Sequence, residues 1–169
     1  MKVTRRLAAC ALLSLTCAGV AHSQGACDAL CEYTKRVLKD APGCFVRLRG
    51  EPRPGTRPRQ HASIAKLQGH DCVVMGYLVN CSLGEFKSMD TANRKHAEAV
   101  ASVKAALPGG WTFSEEKNPL GRQVTATEAA TRVQVTVELL DLREMNRIVE
   151  VAVSYDALEC AEKGRCKCE

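Results

Sequence analysis

Aromatic residues are scarce in this chain of 169 residues, which has three Phe, three Tyr and one Trp. None is interleaved with the arginines of the most basic segment, so the stacking platform that a binder of bases would need is missing. No Gly-x-Ser-x-Gly motif is present, which removes the usual nucleophile elbow. Cys-x2-Cys pairs are absent too, so the commonest zinc-ligand spacing is not available. Beyond the first twenty residues no apolar run approaches the roughly 20 residues that span a bilayer. Charge of one sign is only modestly in excess, with 24 basic side chains against 19 acidic ones.

What is present begins with a leader. Lys2, Arg5 and Arg6 precede a 14-residue apolar stretch from Leu7 to Val20, and small residues follow around Ala21 and Ser23. The pattern predicts a cleaved secretory signal over residues 1–23, because the apolar stretch is too short for a membrane anchor. The remaining 146 residues carry 21 basic and 19 acidic side chains, a net charge of about +2. That balance implies neither a nucleic-acid partner nor a membrane-surface role. A chain of this size buries enough surface to build its own core, so residues 24–156 are expected to form a single domain.

Eight of the ten cysteines lie after the leader. An even count in an exported chain predicts disulfides and a periplasmic or extracellular destination. One pair can be named. The runs Cys72–Met75 and Leu78–Cys81 flank Gly76-Tyr77, which suits a two-residue type II′ hairpin. That register sets Cys72 opposite Cys81 at a non-hydrogen-bonded position. The Cα atoms there are about 4.5 Å apart, within disulfide reach. Cys27, Cys31 and Cys44 near the start, and Cys160, Cys166 and Cys168 near the end, remain unassigned. They are expected to staple the tail, residues 157–169, to the first helix and the turn after it.

Between these landmarks the chain alternates between helical and strand periods. Cys27 to Asp40 reads as a short amphipathic helix stopped by Ala41-Pro42-Gly43, and Cys44 to Gly50 as a strand with Phe45 on its wet side. Glu51 to His61 holds three prolines and three arginines and is expected to be a surface loop. A second helix begins at Ser88 or Asp90 and runs to Leu107. Trp111 to Lys117, Val133 to Leu139 and Val149 to Tyr155 alternate as strands, the last two forming a hairpin across Asp141 to Arg147. The fold class is α+β, an antiparallel sheet with two helices packed on one face and disulfide bracing. Pro42-Gly43 before Phe45 is echoed by Pro108-Gly109 before Trp111. The echo fits either two helix-plus-three-strand halves or two ordinary helix-to-strand connections, and the second is preferred.

Few residues invite a chemical role. Arg47, Arg49, Arg53, Arg57 and Arg59 form the densest cationic series, suited to an anionic ligand or an acidic protein partner through guanidinium forks. A solvated loop explains the same series. His70 beside Asp71 and near Ser63, or His96 on an apolar helix face, are the candidates for a hydrolase. Neighbouring residues on a strand diverge, however, so no catalytic residue is assigned. The same divergence separates Glu115 from Glu116. Neither a metal site nor a cofactor is expected.

Phe45, Gly50, Cys72, Cys81, Leu107-Pro108-Gly109 and Trp111 together resemble small exported bacterial α+β proteins that contain cysteines and whose role is uncharacterised. The resemblance covers roughly residues 27–155 and implies no activity, so it transfers no site. The expected function is that of an exported, non-catalytic binding, inhibitor or immunity-like module acting by surface complementarity. The rivals are a secreted hydrolase using His70 or His96 and a structural envelope protein without a discrete site.

Overall fold

The computed structural model describes residues 27–56, 60–146 and 148–168. The expected leader, Arg57 and Arg59 lie outside the described residues. Four helices and eight strands follow in the order α1 (Ala29–Leu38), β1 (Arg49–Pro52), β2 (His61–Ser63), β3 (Cys72–Met75), β4 (Leu78–Phe86), α2 (Met89–Ala106), β5 (Trp111–Asn118), β6 (Gly121–Glu128), β7 (Gln134–Asp141), α3 (Arg143–Asn146), β8 (Val149–Asp156) and α4 (Leu158–Glu162).

All eight strands join one antiparallel sheet in the order β1-β2-β3-β4-β8-β7-β6-β5. Each half of the chain is therefore a helix followed by a four-strand meander, and the two meanders meet where β4 pairs with β8. The α+β class with two main helices on one face holds. The expected three strands per half become four. In the second half the added strand is β6, which the sequence signals weakly because Val124 and Ala126 on its inner face are flanked by Arg122 and Glu128, and only Ala126 is buried.

The first half differs from expectation for a backbone reason. Cys44 and Phe45 adopt left-handed conformations, φ 52° and 60°, between two short 3-10 turns over Ala41–Gly43 and Val46–Leu48. Of the strand expected over Cys44–Gly50 only Arg49 and Gly50 are extended, opening a β1 that runs on through Glu51 and Pro52 of the expected loop, and Phe45 is fully buried rather than wet. Pro52 sits on this edge strand, where its missing N–H breaks no interior ladder.

The β3–β4 hairpin takes the register expected of it, with Met75 opposite Leu78 and Cys72 opposite Cys81. Gly76 has φ 53° while Tyr77 does not enter the positive region, as a type II′ turn requires. Cys72 and Cys81 are bonded, with Cα atoms 4.1 Å apart. At the β5–β6 hairpin, Gly121 has φ +149°, and a Cβ there would lie 1.9 Å from the Leu139 carbonyl oxygen. Only glycine lets β6 approach β7 at that point.

Inward residues come from alternate positions. Val74, Val79, Cys81 and Leu83 meet Val149, Val151, Val153 and Tyr155, with Val135, Val137 and Leu139 beside them. Helix α1 contributes Leu30, Tyr33, Thr34 and Val37, spaced three and four apart so that they share one face. Asp28 caps it by accepting from the Cys31 N–H at 2.8 Å, and its other carboxylate oxygen accepts from the Ser102 hydroxyl of α2. Burial pushes the Asp28 carboxyl up, but these bonds outweigh it and leave it below its ordinary value. Helix α2 buries Ala92, His96, Ala99, Val103 and Ala106, and the small alanines allow α1 to lie close.

Under the β4–β8 seam, Tyr155 is fully buried and its hydroxyl lies 2.8 Å from Thr34 Oγ1. Its ring meets Tyr33 edge-on at 6.0 Å between centroids. The Tyr33 hydroxyl lies 3.3 Å from Cys81 Sγ, and it must be the donor because a disulfide sulfur carries no proton.

The remaining cysteines pair as Cys27–Cys31, Cys44–Cys168 and Cys160–Cys166. Only Cys44–Cys168 joins the tail to the body, where Lys167 also donates its N–H to the Pro42 carbonyl at 2.9 Å. The expected multiple staple is therefore one link, because Cys27 and Cys160 each find a partner within one or two turns. The described tail is not wholly irregular, since Leu158–Glu162 forms α4.

These pairings predict unequal stabilisation. The Cys44–Cys168 link spans 124 residues of sequence and Cys27–Cys31 spans four. Replacing both cysteines by alanine should cost about 4 to 5 kcal/mol for the first and about 2 kcal/mol for the second, measured by denaturant unfolding. Tyr155→Phe leaves the buried Thr34 hydroxyl without its partner and should cost about 1 to 3 kcal/mol by the same measurement.

Candidate functional site

The arginine series does not converge on one point in the described residues. Arg47 lies beside Asp40, with Nε 3.8 Å from the carboxylate. Arg49 donates from Nη2 to the Gly76 carbonyl at 3.1 Å, bracing β1 against the β3–β4 turn. Arg53 pairs with Asp71, whose carboxyl is held below its ordinary value chiefly by that bond. These three guanidinium groups thus serve local contacts as well as carrying charge. Exposed ion pairs of this kind contribute about 1 kcal/mol at most, so the groups remain available to compete for an external anion.

The histidines stand apart from one another. The His61 Nδ1 is 3.0 Å from the Gly50 carbonyl oxygen. His70 is half-buried, and desolvation followed by the charge of Lys95 lowers its pKa. His96 is buried on α2, and its Nε2–H donates to the Val137 carbonyl at 3.3 Å, leaving Nδ1 as the unprotonated nitrogen. Burial first, then the nearby Arg122 charge, pushes the His96 pKa down. No hydrogen bond links His70 or His96 to a Ser, Cys, Asp or Glu side chain among the described residues. Asp71, next to His70, is turned to Arg53. A nucleophile, base and orienting acid are therefore not assembled around either ring.

One cluster of potential metal ligands occurs among the described residues, Cys27, Cys31 and Glu32, and its two sulfurs are bonded to each other. Glu115 and Glu116 diverge as adjacent strand residues must. Glu116 accepts from the Gln123 amide at 3.0 Å on the helix-free side, and Glu115 shares the opposite side with Phe113 and Lys117.

The broadest feature is the sheet face opposite the helices, which sequence analysis did not single out. Cross-strand pairing places Ser114, Thr125, Thr136, Ser154 and Asn80 in one row over five strands. Thr125 and Thr136 hydroxyls lie 3.1 Å apart within it. Thr112, Thr127, Gln134 and Asp156 form the next row, with Leu78 and Met75 at its far end. At the other end Glu85 stands directly opposite Glu150, and Glu138 lies diagonal to Glu150 on β7. Burial among its neighbours, and then the Glu150 charge, raise the Glu138 pKa above the ordinary carboxylate range. The signal for this face was present as polar residues alternating with the valines. An alternating strand announces its buried side, and the opposite side gains meaning only when strands distant in sequence become neighbours.

Several recesses mark the surface of the described residues outside the helix–sheet seam. A cleft of about 250 Å³ is lined by Leu38, Pro42, Pro108, Trp111 and Val133, with Cys166 at its tail side. A wider one of about 560 Å³ lies beside α3, between Leu120 and Met145, and includes the Asp141–Arg143 pair. No helix among the described residues is long and apolar enough to cross a membrane.

Comparison of the chain with protein-family models, with curated proteins and with solved structures gives no match.

The histidine environments predict a pH response. Because folding lowers the pKa of His96, the unfolded chain binds the proton more readily, and stability falls as pH drops through the unfolded value of about 6.5. His70 contributes with the same sign. Unfolding free energy measured between about pH 7.5 and pH 5 should decline, and His96→Gln, which can still donate to Val137, should flatten the slope.

Proposed function

We propose that the protein is an exported, non-catalytic binding module, of inhibitor or immunity type, that recognises a protein partner by surface complementarity. The observation that supports this reading most is the eight-stranded sheet with its helices on one side and, on the other, a broad face where rows of hydroxyl and amide side chains run alongside carboxylates. Such a face presents many donors and acceptors on a rigid support and little side-chain entropy to lose on contact. Bracing by four disulfides is compatible with an oxidising, exported environment. The series Arg47, Arg49, Arg53, Arg57 and Arg59 supplies the cationic part, meeting acidic or other anionic groups of the partner. Of these, Arg49 opens β1, an edge strand of the sheet, and Arg53 directly follows it.

The reading is tested by cross-linking capture from the exported fraction of the source cells with three baits. Wild-type protein should recover one dominant partner. Thr125→Arg with Ser154→Arg, which puts two long cations on the open face without touching the core, should reduce recovery about tenfold or more. Joint replacement of Arg53, Arg57 and Arg59 by glutamine should weaken capture more at low salt than at high salt. Equal recovery with all three baits overturns the proposal. So does hydrolytic turnover that disappears on replacing His70 or His96, which would favour the enzyme instead.

A further inference from the structure

The seam between the start of α2 and the β5–β6 hairpin holds a cationic recess of about 280 Å³. Its floor is Arg122 on β6, whose cross-strand neighbours are Lys117 on β5 and Leu139 on β7. Leu139 is buried beneath α2, so Arg122 projects to the helix side of the sheet. Met89 and Asn93, one turn apart at the start of α2, form the opposite wall.

The charges in this recess are not balanced from within. Arg122 Nε is buried and has no hydrogen-bond acceptor. Among the described residues neither Arg122 nor Lys117 takes part in an ion pair. One carboxylate, Asp141, lines the recess, and it is engaged by Arg143 through Nε at 2.8 Å and Nη2 at 2.6 Å. Glu115 lies two residues before Lys117 on the same side of β5, near enough to influence His96, yet it forms no ion pair with Arg122. In the same seam the His96 pKa is held down by burial first and by the Arg122 charge second.

A guanidinium N–H removed from water without an acceptor is costly, and a carboxylate is the group whose two oxygens match the fork. Asn93 and Asn118 line the recess with amide groups able to donate to the same oxygens, and Met89, Leu139 and Pro119 supply an apolar wall. The volume sits at the lower end of small-molecule sites, which suits a short body. From this arrangement we infer that the α2/β5–β6 seam binds a small organic carboxylate, its oxyanion on Arg122 and Lys117 and its short apolar chain against Met89 and Leu139. The site is separate from the open sheet face and does not depend on the partner proposed for it.

Amide NMR titration of the folded, disulfide-bonded protein tests the site with two probes, hexanoate and inorganic phosphate, at matched ionic strength. Hexanoate should shift resonances of Met89, Asn93, Lys117 and Arg122 in a saturable manner. Arg122→Met should weaken that binding about tenfold or more, as loss of a charged hydrogen-bonding partner does, while Arg47→Gln leaves it unchanged. If Arg122→Met does not fold, Lys117→Gln, at an exposed position, carries the test with a several-fold weakening expected. Absence of localised shifts, equal binding to the variants, or phosphate binding as tight as hexanoate each overturns the assignment.

Discussion

The antiparallel pairing of β4 with β8 is the constraint on which the rest of the molecule depends. Either meander alone is a four-strand sheet with two open edges and one helix to cover its apolar side. Joining Leu78–Phe86 to Val149–Asp156 removes one edge from each and creates a single surface wide enough for α1 and α2 to lie together. Tyr155 lies beneath that seam, and its contacts with Thr34 and Tyr33 carry the register of the sheet into α1. The Tyr33 hydroxyl then reaches Cys81 on β4, so one helix senses both strands of the junction.

The two sides of the sheet consequently solve different problems. The helix side is built of valines, which pack well on a pleated surface and lose little rotamer freedom there. Coverage ends before β5. Phe113 is 45% exposed with the Lys104 ammonium 5.3 Å from its ring, and the strand beyond it is charged. Glu115, Glu116 and Lys117 suit an edge strand, because isolated charges there discourage pairing with another chain. The uncovered side has no apolar stripe long enough to demand a helix, which explains how it stays open without exposing a core.

Much of the architecture was legible because its determinants are local. Gly76-Tyr77 between two β-rich runs specifies a turn, the turn specifies a register, and the register places Cys72 against Cys81. The extent of α2 was legible from Ser88 and Pro108 for similar reasons. The stretch at Cys44 and Phe45 was not, since an alternating pattern there conceals two consecutive left-handed residues held by bonds to Asp40 and Ala41 carbonyls. β6 is signalled weakly because Arg122 and Glu128 flank the two apolar residues of its inner face, Val124 and Ala126. The open face depends on strands far apart in sequence becoming neighbours, and the Arg122 recess on the start of α2 lying against the β5–β6 hairpin, and no short window of sequence contains either.

The single link between Cys44 and Cys168 gives the chain a ring-like covalent topology. Any one cut in the backbone between those two residues, including one after an arginine in the segment between Pro52 and His61, opens the ring without releasing a fragment. Both pieces stay joined through the disulfide, and the strands on either side of the cut keep their partners at the high local concentration that tethering provides. A proteolysed molecule would therefore keep its mass under non-reducing conditions and come apart only when a reductant is added. A nick anywhere in the ring is thus a change of connectivity rather than the start of degradation.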